Sequence, residues 1–410
     1  MDFLPIIYFT YMFISFYFLI LTLLLYFRNK NTLFDYPEKT KDYSVSVIIP
    51  AFNEEKTILD TIKHVFASEY KNIIEVLVIN DGSTDNTLNI LKEILPRYKP
   101  KLKILNKANS GKADSFNKAV KFASGELIVI IDADSYPNPA SIPKLVGYFD
   151  DEKVGAVTSA CIPRNRTTFL ERLQVIEYKV IAFTRKLLEY IESIYVATGT
   201  LTIYRKTALE DIGGFDTSNM TEDIEATWHL VHNGWKVRMC LDAIVTTTTP
   251  KKVRAWFRQR RRWAIGGLQC LNKYKNCFMK KKGMLGYFII PFFGLGLTLG
   301  LVGMGIFSYV IGKRAVSNYL LTRYSVMTGV PILTMNEIYI TPSVLNYFGI
   351  ILFVLFTIFT LFVLSVMKDR VLEKQSFFNF IYYMTLYLIA YPTILLLSIW
   401  HLARGKRVWR

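Results

Sequence analysis

The chain has 410 residues, with 50 Lys and Arg against 33 Asp and Glu, and a formal net charge of +17. At 51% hydrophobic residues and a mean hydropathy of +0.25 it is apolar for a soluble enzyme, and it contains no internal repeat or low-complexity tract. The charge asks for an acidic partner, whether phosphate, anionic lipid or nucleic acid, while Cys161, Cys240, Cys270 and Cys277 show neither CxxC nor zinc spacing and read as reduced thiols.

Residues 5–27 are almost wholly apolar and aromatic, long enough to cross a bilayer. No basic run precedes them, no small-residue cleavage site follows, and Arg28 and Lys30 stand just after them. They predict a retained anchor with the N-terminus outside and residue 28 onward in the cytoplasm. A polar linker, 31–44, leads into strands alternating with helices. Val45–Pro50, Glu75–Asn80, Lys103–Asn106 and 127–131 read as buried strands, and 56–68, a segment ending near Leu95, and 113–123 read as helices. Ser83 or Asp85 is the expected cap of the second helix. This βαβα order predicts a parallel, Rossmann-like sheet. Apolar residues at helical spacing predict one long amphipathic helix over 166–192. Val196–Tyr204 reads as a strand broken by Gly199, and Thr221-Glu222-Asp223 opens a helix to about His232. The basic and aromatic mixture over 251–282 suits a helix in the membrane interface. Residues 284–311, 344–367 and 377–400 are long apolar spans, and Gly296 and Gly300 predict close helix packing in the first. The divisions are therefore 1–30 (anchor), 31–250 (α/β domain), 251–283 (basic interfacial segment) and 284–410 (C-terminal membrane region).

Four spans would leave the tail outside, against the positive-inside preference of Arg404, Lys406, Arg407 and Arg410. A fifth crossing at 319–335 would bring the tail in but place the basic residues of the 368–376 loop outside. Apolar length favours four spans.

The chemistry centres on Asp132-Ala133-Asp134, which follows a strand apolar on both faces, where open α/β sheets place ligands. Paired carboxylates supply hard oxygens for Mg2+ or Mn2+ on a diphosphate, although a lone DxD also describes a solvated turn. Asp81 and Glu54 stand at strand ends, as turn residues or as acceptors for a base or ribose. Lys112, after Gly111 at a helix start, is placed to meet a phosphate, although the Walker spacing is absent. Asp223 is either a helix-end acid complementing the dipole beside a Thr221 cap or a general base kept ionised by that dipole. Gln259-Arg260-Arg261-Arg262-Trp263 is either a positive-inside flank or a phosphate clamp with an aromatic platform. His229 and His232 lack a third ligand and read as a polar helix face.

Together these residues resemble the processive family 2 glycosyltransferases, the cellulose, chitin and hyaluronan synthases, and within them the poly-N-acetylglucosamine synthase group. The family's first Asp, DxD, TED and QxxRW stand in order as Asp81, Asp132-Ala133-Asp134, Thr221-Glu222-Asp223 and Gln259 to Trp263. The segments PAFNEE, INDGSTDNT, GKADSFNKA, DADS, TEDIEATWHL and RQRRRWAIGG carry the closer likeness over about residues 45–270. Thr246 to Pro250 departs from the family's acidic version.

The resemblance implies a GT-A domain with transmembrane helices at both ends, in the plasma membrane, with its catalytic domain cytoplasmic. It implies inverting transfer from a UDP-sugar, UDP-N-acetylglucosamine above others, to a growing polysaccharide or a glycolipid. Asp223 would be the base, and Glu54, Asp81, Lys112 and Asp132 the donor-binding residues. Asp134 with Asp132 would hold Mg2+ or Mn2+, and Gly199, Gln259, Arg262 and Trp263 would meet acceptor or diphosphate. Membrane lipid is a further partner, nucleic acid is not, and there is room for a small membrane accessory subunit. The rivals are a non-processive transferase to a lipid-linked acceptor and a membrane-anchored binder of nucleic acid or anionic lipid. The first is disfavoured by QRRRW, the second by carboxylates clustered at strand ends.

Overall fold

The computed structural model describes residues 3–280, 283–329, 344–367 and 377–405. The 368–376 loop, residues 330–335 of the fifth-crossing segment, Lys281, Lys282 and the tail beyond 405 lie outside them. A helix, α1 (Phe3–Asn29), precedes the α/β domain. That domain begins with β1 (Val45–Ala51), α2 (Ile58–Phe66), β2 (Ile73–Asp81), α3 (Thr87–Tyr98), β3 (Leu102–Lys107), α4 (Lys112–Phe122) and β4 (Leu127–Ile130). All of β1 and β4 is buried, as runs of β-branched residues covered on both sheet faces should be.

There follow β5 (Ser135–Pro137), α5 (Ser141–Val146), β6 (Val154–Pro163), α6 (Phe169–Glu189), β7 (Thr202–Arg205), α7 (Lys206–Asp211), α8 (Glu222–His232) and β8 (Lys236–Thr247). The eight strands form one sheet in the order β3-β2-β1-β4-β7-β6-β8-β5. The expected parallel pairing holds from β3 to β4. Beyond β4 the sheet is mixed: β7 is antiparallel to both β4 and β6, and β5 to β8. The reversal of β7 follows α6, a long excursion between β6 and β7 that returns the chain to the sheet from the opposite end. Of the expected strand 196–204 only residues 202–204 fall in β7, because the chain before them bends at Gly199, whose carbonyl accepts from the Asp132 N–H at 3.0 Å.

α6 is not a surface helix. Its polar residues Glu171, Gln174, Glu177, Lys179, Arg185, Lys186 and Glu189 are buried along with its apolar stripe. It starts with a reciprocal cap: Thr168 accepts from the Glu171 N–H, and the Glu171 carboxylate accepts from the Thr167 and Thr168 N–H groups, each at 2.7 Å. α9 (Val253–Tyr274) packs against α8 and the later helix α12 (Phe377–Ala403), and its Trp256 and Arg260 side chains reach α6. Trp256 and Arg260 are buried in protein, while Arg254 and Arg258 are exposed on the other side.

α10 (Ile290–Thr328), α11 (Val344–Val366) and α12 (Phe377–Ala403) follow among the described residues. Three helices among the described residues are long and apolar enough to cross a membrane, Pro5–Asn29, Leu285–Thr328 and Asn379–Ala403, and Ile350–Val366 is a shorter apolar stretch. Leu285–Thr328 has 44 helical residues, so residues 319–328 prolong this helix instead of starting another. At 1.5 Å per residue it is about 66 Å long, twice a bilayer core of about 30 Å. The GxxxG expectation is corrected. A Cβ on Gly296 would meet open space and one on Gly300 only ordinary contacts with α12, whereas one on Gly303 would lie 2.8 Å from the Tyr11 hydroxyl. The four cysteines are free and buried.

Candidate active site

A cleft of about 680 Å3 opens at the C-terminal ends of β1, β2 and β4. Glu54, Asp81, Lys112, Asp132, Asp134, Glu222 and Arg262 line it, with Asn109, Thr217 and Asn219. Residues as distant in sequence as Glu54 and Arg262 meet there, because the parallel half of the sheet points its loops to one side and α8 and α9 bring Glu222 and Arg262 to the same place.

Two of these loops are laced together before any ligand is considered. The Ser83 hydroxyl accepts from the Asn53 N–H at 3.0 Å, Asn53 Oδ1 from the Thr84 N–H at 2.8 Å, and the Thr87 hydroxyl from the Glu54 N–H at 2.8 Å. Asn53 takes a positive φ of 58° to allow this, in the region Asn tolerates. Neither Ser83 nor Asp85 is the N-cap of α3. Asn86 occupies that position, and Asp85 accepts from the Thr87 N–H at 3.0 Å. Asp81 is buried, and its two oxygens accept from the N–H groups of Ser110 and Gly111, each at 2.9 Å, with Lys107 paired to it. It therefore shapes the loop before α4 as well as lining the cleft.

Lys112 is the hub. Its Nζ lies 2.6 Å from Asp132 and 2.7 Å from Glu222, joining the DxD to the TED segment. Burial pulls its ammonium toward neutrality, but Asp132, Glu222 and Asp223 outweigh that and hold it charged. Gly199 makes the arrangement possible, since a Cβ there would lie 2.9 Å from Lys112 Nζ and 3.1 Å from Asp132 Oδ1. Gly199 is thus found under the Lys112–Asp132 pair. Glu222, not anticipated as a site residue, is held below its ordinary value: burial opposes this, but Lys112 and Arg262 prevail.

Asp134 follows the strand end with a surplus of negative charge. Burial, Asp132 and Glu54 together push its carboxyl up to about 7. Burial also raises Glu54, against a hydrogen bond from Thr57 at 2.6 Å. Among the described residues no three carboxylate, histidine or cysteine side chains form a ready metal cage. The donor set nevertheless fits a hard divalent cation that keeps some ligand positions for phosphate oxygens, as Mg2+ does on one or two carboxylates. Thr247, in the run that replaces the family's acidic version, lies 3.4 Å from Asp134 Oδ1 and offers only a hydroxyl.

Asp223 departs from expectation in its electrostatics. The helix end was to keep it at a low pKa, but burial and the neighbouring Glu222 raise it to about 6, against Lys112 and Arg262. Thr221 makes no side-chain cap to α8. Its hydroxyl turns to Asn219 Oδ1 at 3.3 Å because α9 passes directly over it at Gly266.

The QRRRW residues divide by side. Arg262 lines the cleft. Gln259 accepts from Arg260 Nη1 at 2.6 Å, and the Trp263 ring lies 4.0 Å from the Arg260 guanidinium carbon and 6.4 Å from the Tyr178 ring. Neither lines this cleft; both pack around Arg260, on another side of the helix from Arg262. Successive helical residues point about 100° apart, so the motif cannot face one way.

Residues 42–266 match the family model described as "Glycosyltransferase like family 2". The chain is 29% identical over 283 residues, 68% of each chain, to poly-beta-1,6-N-acetyl-D-glucosamine synthase of Staphylococcus epidermidis. It is 29% identical over 288 residues, 69% of each chain, to the enzyme of that name from Staphylococcus aureus strain COL. In structure it is similar to a mannosyltransferase from Pyrobaculum calidifontis solved with GDP-mannose and Mn2+. That likeness has a TM-score of 0.54 at 22% identity and covers 79% of this chain and 94% of the other. A GT-A sheet, the ordered motifs gathered at its strand ends and a family match over more than half its length together make this chain a member of glycosyltransferase family 2.

Proposed function

We propose that the chain transfers N-acetylglucosamine from UDP-N-acetylglucosamine, with inversion, onto a growing β-linked polysaccharide and passes the product across the membrane. The observation that carries this is one cleft joining the Asp132–Asp134 pair, Lys112 and Arg262 to the TED helix. The name shared by the staphylococcal relatives supports the choice of sugar and polymer.

Asp134, with Asp132, would hold Mg2+ or Mn2+, which when bound neutralises the leaving diphosphate. Glu54 and Asp81 keep the nucleotide end of the cleft in shape and accept hydrogen bonds from it. Lys112 and Arg262 bring positive charge to where the diphosphate leaves. Asp223 takes the proton from the acceptor hydroxyl as that oxygen attacks the anomeric carbon, and a pKa of about 6 leaves it ionised at neutral pH yet basic enough to accept. Gly199 keeps the wall between donor and acceptor thin, and Gln259 and Trp263 complete the acceptor side on the helix that carries Arg262.

The α/β domain works in the cytoplasm, where UDP-sugars are, and the apolar helices anchor it in the plasma membrane. The exposed basic face of α9 meets lipid headgroups at the interface. A small membrane subunit has room to join them.

The test is turnover by membranes holding the chain, given one UDP-sugar at a time with Mn2+. The expected result is release of UDP with UDP-N-acetylglucosamine and polymer as product. A single sugar added to a lipid would replace the polymer reading with the lipid-linked one.

A further inference from the structure

One charge pair lies outside the transfer chemistry. Arg260 stands on α9 two residues before Arg262, and Glu177 stands on α6. Both side chains are buried, at 0% and 3% exposure. The guanidinium meets the carboxylate on two prongs, Nε to Oε1 at 2.8 Å and Nη2 to Oε2 at 2.6 Å. From α12, the Tyr387 hydroxyl donates to Oε2 at 2.9 Å and the Tyr391 hydroxyl donates to Oε1. The remaining face of the guanidinium is aromatic, with ring centroids at 4.0 Å for Trp263, 5.6 Å for Tyr178 and 5.7 Å for Trp256. Three helices are thus tied at one carboxylate.

A dry ion pair is a poor source of stability, because apolar residues of similar volume hold helices together as well or better. What it supplies is direction. A two-pronged contact resists both rotation and sliding of the helix that bears it. Residues 260 and 262 stand about 200° apart around a helix, so locking Arg260 to α6 on the back aims Arg262 into the cleft on the front.

We propose that the Glu177–Arg260 pair, with Tyr387 and Tyr391, is a positioning device. It sets the rotation of α9, and hence the placement of Arg262 against the donor diphosphate, and it ties the apolar helix α12 to the transfer step. This rests on the donor site proposed above. Arg260 and Glu177 act through Arg262 and touch no substrate.

The test uses the full chain purified from membranes, measuring melting, kcat and donor KM for Y387F/Y391F and for the double replacement E177L/R260M. The double replacement removes both charges and refills their space but leaves the Tyr387 and Tyr391 hydroxyls without their acceptor, so the chain stays folded with a modestly lowered melting temperature. Its kcat falls about 100-fold, the effect of displacing a catalytic contact by about 1 Å, and donor KM changes far less, because Arg262 matters most as the diphosphate leaves. Y387F/Y391F keeps both charges and shows a smaller loss of kcat. Wild-type kcat in a folded E177L/R260M would overturn the proposal, leaving the pair as ordinary packing. Should that variant not fold, wild-type kcat in Y387F/Y391F overturns it and reduced kcat at unchanged melting supports it.

The donor reading is judged separately, by wild-type turnover on a panel of nucleotide sugars. If the wild type turns over none, that reading fails and the positioning device is scored without substrate, by amide hydrogen exchange in E177L/R260M, or in Y387F/Y391F if that variant does not fold. Faster exchange confined to 253–274 supports it, and unchanged exchange there refutes it.

Discussion

Replacing Gly266 by alanine should cost far more activity than stability. Gly266 lies inside α9, where alanine is the better helix former by about 1 kcal/mol. A Cβ there would stand 1.8 Å from Thr221 Oγ1, 2.7 Å from its Cβ and 2.8 Å from its Cγ2. Thr221 is β-branched and buried, so its atoms cannot swing aside as the tip of a long side chain could. Ordinary contact needs about 3.5 Å, so α9 and the Thr221 turn must part by roughly 1.5 Å. Overpacking of this kind costs about 1–3 kcal/mol, and the helix-propensity gain brings the net loss to at most about 2 kcal/mol. The separation acts between Arg262, four residues before Gly266, and Asp223, two after Thr221. A displacement of about 1 Å at such groups lowers kcat about 100-fold. The assay is UDP release at saturating donor, beside a melting curve. Shrinking the partner in a T221G/G266A double variant should recover part of the rate, which two independent lesions would not do. A G266A enzyme with wild-type kcat would refute the reasoning.

Asp223→Asn should bind UDP nearly as wild type while losing transfer, and loss of both together would make Asp223 a donor-site residue. In the wild type the ionised Asp223 is the active form, so with metal saturating, kcat should be constant above its pKa and fall as pH drops through about 6; a limb near 4 would contradict the raised value. Asp134→Asn should leave the chain folded in membranes and abolish turnover, and EDTA should stop the wild type reversibly, so undiminished turnover in EDTA would refute the metal role. Glu171 is held at about 2, since the N–H groups of Thr168 and Thr167 and the Asn165 amide outweigh the burial that opposes them. That depression stabilises the fold by about 3 kcal/mol at neutral pH. The contribution is complete above about 4.5 and is lost as pH falls toward 2, so E171Q should show a smaller fall in melting temperature between these limits than the wild type does. An impermeant thiol reagent in intact cells should leave a cysteine at Lys99 unlabelled, and should label one at Arg410 if four spans are crossed.

The parallel half of the sheet was legible because β1, β2 and β4 carry the apolar runs Val47–Ile49, Val76–Ile79 and Leu127–Ile130 with turn residues after them. The other half was not, for a physical reason. β6 carries Thr158 and Ser159 and β8 carries Asp242 and Thr246, so neither shows an apolar run or a clean alternation. In β6 the sheet tolerates this because the buried hydroxyls bond within the sheet, as the Ser159 hydroxyl does to the Leu201 carbonyl at 3.0 Å. The types of chemistry were legible too: Asp132, Asp134, Lys112, Arg262 and Glu54 meet in one cleft. What sequence spacing cannot carry is a contact between distant parts of the chain. Lys112 to Glu222 and Glu177 to Arg260 exist only once the helices are packed, and three consecutive arginines look alike until a helix turns them apart. The Asp223 expectation missed because it weighed the helix dipole without burial and Glu222, which together prevail.

The central claim is inverting addition of N-acetylglucosamine to a growing chain, and the structure of the product tests it most directly. The purified chain in lipid bilayers, given UDP-N-acetylglucosamine and Mn2+, should yield a ladder of products differing by one N-acetylhexosamine by mass spectrometry. Proton couplings at every anomeric centre formed should be those of a β-linkage. A ladder with α-anomeric couplings, or no consumption of UDP-N-acetylglucosamine beside ready turnover of another sugar nucleotide, would contradict the account.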